Sequence, residues 1–172
     1  AEDRLRPVLA ARIARLGEDH PDTLAAQAEL ANILWSQRRY TEVEALDRAL
    51  VRAMRRTHGP DHPDTLMARS GLASTLFSQG RLREATGMYQ QVLAPLRQQL
   101  GPRHPKVLKV HHNLATALSE LGRHREAVAE LRQLQSERSS VLGDGAFDAA
   151  TSMQSLALAL VGMGEYAEAE QW

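Results

Sequence analysis

Leucine and alanine recur along this chain at spacings of three and four, in runs broken by short polar stretches that hold glycine and proline. Leu24, Gln27, Leu30, Ala31 and Leu34 fall on one face of a helix expected over about 22–37, and Val43, Leu46, Leu50 and Met54 on a second over about 41–57. The same couple returns at 64–79 and 82–100, at 106–121 and 124–142, and at 148–163 with a last helix starting at Tyr166. Residues 1–16, with Leu5, Val8, Leu9, Ile13 and Leu16, read as one more helix. Asp22, following Pro21 and preceding an apolar-periodic run, has the chemistry of an N-cap, its carboxylate accepting first-turn N–H groups. Gly59 closes the second helix and Pro60-Asp61-His62-Pro63 forbids its continuation. Pro95, inside the helix at 82–100, removes one backbone hydrogen bond and predicts a bend near 91–95.

The pattern has a period. Gly17, Gly59, Gly101 and Gly143 are 42 residues apart, as are Leu30-Ala31, Leu72-Ala73, Leu114-Ala115 and Leu156-Ala157. His-Pro-Asp at 20–22 returns at 62–64, and its His-Pro half at 104–105. A period of this length, kept without an insertion, is the signature of stacked supersecondary units. The helix pairs are joined by turns at Gln37-Arg38-Arg39-Tyr40 and Gln79-Gly80-Arg81-Leu82, the second with the expected turn glycine and the first with arginine in its place.

These residues resemble the tetratricopeptide repeat, in the 42-residue variety seen in kinesin light chains and many bacterial proteins. The resemblance is carried by Asn113-Leu114-Ala115, Leu118, Gly122-Arg123 and Glu126-Ala127. It continues in Leu72-Ala73, Leu76, Gly80-Arg81, Glu84-Ala85 and Tyr89, and in Leu156-Ala157, Leu160, Gly164, Tyr166 and Glu168-Ala169. It implies an all-α fold, an α-solenoid in which antiparallel helix hairpins wind into a right-handed superhelix. One array is then expected over 1–172: a partial unit at 1–16, whole units at 22–58, 64–100 and 106–142, and a partial unit at 148–172. Departures are Val43 at the second small-residue position and Gly145-Ala146-Phe147-Asp148 in place of a His-Pro loop.

Composition narrows the function classes. Apolar residues make up 43% of the chain but aromatics only 4%, which suits close helix packing better than a sheet. With 21 basic and 21 acidic residues the formal net charge is zero, so no overall field favours nucleic acid or an anionic membrane. Cysteine is absent, so neither disulfides nor thiolate metal sites are expected, and a cytoplasmic location is the default reading. No apolar run is long enough to span a bilayer. Lys106 and Lys109 are the only lysines beside 19 arginines, a skew that fits a GC-rich bacterial genome.

Candidate chemistry is sparse. His20, His62 and His104 stand one to a loop and a full unit apart, about 10 Å or more if units stack at helix-pair spacing, too far to share a metal. A loop histidine bonded to neighbouring backbone beside a proline is the expected role. No phosphate-binding loop, nucleophile elbow or His-Glu-x-x-His run occurs, so neither an enzyme nor a cofactor is expected.

The resemblance implies that the first helix of each pair lines an inner groove. The positions it selects are Ala28, Asn32 and Trp35; Met67, Ser70, Ser74 and Phe77; Lys109, His112, Asn113 and Thr116; and Gln154, Leu158 and Val161. Aromatic Trp35 and Phe77 share one phase, and polar Asn32, Ser74 and Thr116 another, a ladder suited to an extended peptide. In the competing reading the two aromatics only pack between helices. Asn113 occupies the phase at which the family contacts peptide backbone, and Lys109 and His112 add a positive corner able to meet a carboxylate. The expected partner is therefore a protein or peptide.

Two other roles stay open. One is a sensor or regulatory domain of a larger bacterial signalling protein, an NTPase or transcription regulator. The other is assembly, since neither 1–16 nor the segment ending at Trp172 has the polar outer face of a cap. On that reading the chain is a fragment of a longer array or self-associates through its ends.

Overall fold

The computed structural model describes residues 2–138 and 146–171, and every regular element among them is a helix. In order these are α1 (Glu2–Leu16), α2 (Pro21–Ser36), α3 (Tyr40–His58), α4 (Pro63–Ser78), α5 (Leu82–Leu100), α6 (Pro105–Glu120), α7 (His124–Arg138), α8 (Ala146–Met163) and α9 (Tyr166–Ala169). The chain divides into two compact units, Ala1–Gly80 and Arg81–Trp172. In the first, α1 packs on α2, α2 on α3 and α3 on α4. In the second, the neighbours are α5 with α6, α6 with α7, α7 with α8 and α8 with α9. The expected end of the second helix at 139–142 and the loop residues Gly143 and Gly145 lie outside the described residues. Ala146 and Phe147, expected in that loop, already belong to α8.

Helices α2, α4 and α6 start one residue before their expected bounds, and the reason is chemical. Asp22 is not the N-cap; His20 is, with extended backbone at ψ 137° and Pro21 in the first turn. The Asp22 N–H donates to His20 Nδ1 at 3.2 Å. Asp64 N–H donates to His62 Nδ1 at 3.2 Å, and Lys106 N–H to His104 Nδ1 at 3.1 Å. Proline suits the first helical position because its missing N–H has no intrahelical partner to lose. The His-Pro punctuation is thus a capping device, with the imidazole as acceptor in place of the expected carboxylate.

The turns between paired helices need a left-handed residue. Gly80, Gly122 and Gly164 take φ of 78°, 79° and 81°, and Arg38 takes 59° in the first turn. There Arg38 N–H donates to Trp35 O at 2.9 Å and Arg39 N–H to Leu34 O at 3.0 Å, which satisfies the last carbonyls of α2. An arginine then opens the next helix and clasps a glutamate three residues on. Arg81 Nη2 meets Glu84 at 2.6 Å, and Arg123 Nη2 meets Glu126 at 2.6 Å. In the fourth turn Glu165 stands in the arginine phase, and Glu168 pairs with Arg132 of α7 instead.

Small residues let helices approach where the period requires it. Ala73, Ala85, Ala115 and Ala127 are wholly buried, and Val43 fills the equivalent place at 2% exposure. In the first unit Leu9, Ala26, Leu30, Leu34 and Val43 form one core, with Leu5, Ile13, Ala31 and Leu46 packed against it. Thr65 ties the start of α4 to the end of α3, its hydroxyl placed 2.7 Å from Gly59 O and 3.1 Å from Met54 O. Gln79 binds back to α3 through Tyr40 O at 3.1 Å and the buried Glu44 at 2.9 Å. Helix α5 runs on through Pro95 to Leu100.

Candidate functional site

In the first unit, α2 presents Asn32 and Trp35 to solvent, Trp35 with 37% of its surface exposed. The indole is braced edge-on by Tyr40 of α3, ring centroids 5.2 Å apart and planes at 72°. This pair braces the indole while leaving part of it open to solvent. On α4, Met67, Ser74 and Phe77 are half-buried. Ser70 is buried, at 2% exposure, and so is removed from the surface expected of it. A position between Leu66 and Ala73 turns inward with them.

In the second unit, α6 exposes Lys109 and leaves His112, Asn113 and Thr116 half-buried. Helix α8 touches α6 and leaves Leu158 and Val161 exposed, at 62% and 45%. The hydroxyls of the polar ladder are partly committed. Ser74 donates to Ser70 O and Thr116 to His112 O, each at 3.1 Å. Each hydroxyl proton is thus committed to a carbonyl one turn earlier in its own helix.

A second polar constellation in this unit is absent from the expected set. His111, next to His112, has a wholly buried ring. Its Nε2 lies 2.6 Å from Glu130 Oε2, and its Nδ1 lies 3.5 Å from Glu137 Oε2, both on α7. Glu137 also pairs with Arg97 of α5. The hydrogen bond from His111 holds the Glu130 carboxyl below the usual carboxylate range, against the opposing effect of burial. Three helices are thus linked by one largely buried chain of charge. The signal lies in the spacing: His111 stands three residues before Leu114 and four after Val107, on the buried stripe. In the first unit, burial pushes the Asp47 carboxyl up, partly offset by the Thr75 hydroxyl that donates to it.

Among the described residues no three histidine, aspartate or glutamate side chains are grouped so as to hold a metal ion. No described helix is long and apolar enough to cross a membrane.

A family model described as the tetratricopeptide repeat matches residues 25–96 and 107–172. Among solved structures, the chain is similar to the nearly identical TPR-like repeats of a Podosopora anserina protein described as a kinesin light chain. Identity is 29% and the TM-score 0.83, over 99% of this chain and 81% of that one. A single-substitution form of the same protein gives 29% identity and a TM-score of 0.85, over 99% and 80%. BtubC (BKLC) of P. vanneervenii shares the fold at 17% identity, with a TM-score of 0.83 over 99% of this chain and 68% of that one. No curated protein matches.

Proposed function

Because the chain belongs to the tetratricopeptide repeat family, a fold that generally mediates protein–protein interaction, we propose that it is a non-enzymatic binding module for an extended peptide or partner segment. Its whole repeats are 22–58, 64–100 and 106–142, and the first helix of each supplies the binding face. The observation that carries this reading is the exposure of large apolar side chains at inner-face positions: Trp35 at 37%, Val161 at 45% and Leu158 at 62%. Each stands in a helix that buries other large apolar side chains, Leu30 and Leu34 in α2 and Leu156 and Leu160 in α8. Exposed apolar groups flanked by polar ones at helical spacing suit side chains of a peptide whose backbone is held by the polar neighbours.

The residues assigned to contact are Asn32, Trp35, Met67, Ser74 and Phe77 in the first unit. In the second they are Lys109, His112, Asn113 and Thr116 of α6, with Leu158 and Val161 of α8. Trp35 and Phe77 receive apolar side chains, Asn32 and Asn113 bond backbone amides, and Lys109 meets a carboxylate. Ser70 is left out because it is buried.

The test is selection of a displayed random-peptide library on the chain, followed by calorimetric titration of the selected peptides. Trp35→Ala and Asn113→Ala should each weaken the peptides that use their unit about tenfold, the scale of one lost anchor, with the melting temperature kept. Peptides that bind both variants as tightly as the parent chain would show that the inner face is not where binding occurs.

A further inference from the structure

The same side-chain atom caps three helices, and that atom can be protonated. In His20, His62 and His104 it is Nδ1 that accepts the N–H of the residue two places on, at 3.2, 3.2 and 3.1 Å. An acceptor nitrogen carries no proton, so each ring holds its hydrogen on Nε2. Aspartate or asparagine in this place would go on accepting through the range in which histidine titrates. Imidazole would not, because the imidazolium ion has donors only.

The three loops differ in what surrounds the ring. His20 Nδ1 has the Asp22 carboxylate 3.8 Å away, and His62 Nδ1 has that of Asp64 at 3.7 Å. Close to His20 the other charges are Asp19 and Glu18, both paired with Arg56 of α3, and Arg12 of α1, which donates to Asp22 O. His62 has the ring of His58 from α3 at 4.7 Å, centroid to centroid. In either loop a protonated ring can turn from the backbone to the aspartate, and that carboxylate still complements the positive end of the helix.

His104 has no such substitute. Lys106 stands where the other loops have aspartate, Arg103 precedes the histidine, and α6 has no acidic residue in its first turn. Arg97, on the helix that ends beside this loop, is engaged by Glu137. Among the described residues no carboxylate lies within ion-pair distance of the His104 ring.

We infer that the His-Pro loops are acid-sensitive helix caps, and that the cap at His104 is the one that releases. Protonation there loses the acceptor for Lys106 N–H and adds a cation beside Lys106 and the positive end of α6, so the first turn of α6 loosens. The two earlier caps exchange one partner for another and hold. Lys109 and His112 follow within two turns of that end, so the loosening reaches the exposed face of α6. The cap at His104 stands outside the positions assigned to peptide contact.

The experiment uses the full chain, labelled with nitrogen-15. Long-range proton–nitrogen correlation at about pH 8 should show all three histidines with hydrogen on Nε2. On acidification to about pH 5, normalised amide protection at Lys106 should fall roughly three- to tenfold, the scale of one lost cap, and at Asp22 and Asp64 by less. His104→Asn, which retains an acceptor that does not titrate, should abolish the fall at Lys106, and Lys106→Asp should reduce it. A proton on His104 Nδ1 at alkaline pH would overturn the inference, as would an equal loss of protection in His104→Asn. Should the variants fail to fold, the tautomer and the protection profile of the unsubstituted chain still decide it.

Discussion

The Nε2 atom of His111 lies 2.6 Å from Oε2 of Glu130, and the ring that carries it is wholly buried. The two residues belong to successive helices, α6 and α7, so their pairing helps to hold that hairpin. A third of the Glu130 side chain is still in water, which keeps the stabilisation well under that of a fully buried ion pair. Glu130→Gln is expected to lose about 1 kcal/mol at neutral pH. The folded-state pKa of Glu130 is depressed, so its contribution is present above the ordinary glutamate range and is lost as pH falls through the lower folded value. Urea unfolding at a series of pH values should therefore show the parent chain and the Glu130→Gln variant converging in acid. A constant gap down to the acid limit would assign the loss to packing rather than charge.

Arg38 occupies the left-handed position that glycine holds in the other three turns. A side chain at φ 59° is strained against its own carbonyl, whereas glycine is not, although glycine also gains freedom in the unfolded chain. The strain is the larger of the two. Arg38→Gly should stabilise the first unit by about 0.5–1 kcal/mol, read as a rise in the urea midpoint with an unchanged slope. Arg38→Ala keeps the strain and should give no such rise.

Thr23 and Thr65 are one period apart, and both are buried. The Thr65 hydroxyl reaches Gly59 O and Met54 O, but the Thr23 hydroxyl is buried with no hydrogen-bond partner among the described residues. Valine already stands in the same phase at Val107. Thr23→Val should therefore stabilise and Thr65→Val destabilise, each by about 1 kcal/mol. Thermal unfolding of the two variants side by side checks the opposite signs, and matching signs would contradict the account.

Two helical glycines give a similar contrast. A Cβ added at Gly71 meets nothing within 4 Å, so Gly71→Ala should stabilise α4 by about 1 kcal/mol through helix propensity alone. At Gly162 the Cβ would lie 2.7 Å from Cε1 of His124, so the ring must move and its packing on α8 is lost. Gly162→Ala is expected to cost about 1 kcal/mol in spite of its better propensity. A calorimetric scan in which both variants melt above the parent would show that the His124 ring gives way freely.

Much of the local architecture is readable from the chain. The helix spans expected at 41–57 and 82–100 differ from α3 and α5 by no more than one residue at either end. Capping chemistry points to Asp22 as the start of the first helix and the period carries that start to 64, yet the true caps, His20 and His62, lie two residues earlier. The third loop holds the clue, for only His-Pro recurs there and lysine replaces the aspartate. Among the inner-face positions Ser70 departs from expectation, because a single polar residue on a stripe boundary does not reveal which way its small side chain turns. Trp35 and Asn32 are exposed as the helical phase implies.

Helical periodicity and turn glycines act over a few residues of chain, and their return every 42 residues determined the fold family and the order of its helices. The contrast between His111 and His112 is of another kind. These neighbours on one helix differ in whether the ring is buried, and the buried one matters through Glu130, Glu137 and Arg97. Those partners come from helices before and after α6. Their charges can compensate one another only once packing has brought them within hydrogen-bond reach and removed the water between them.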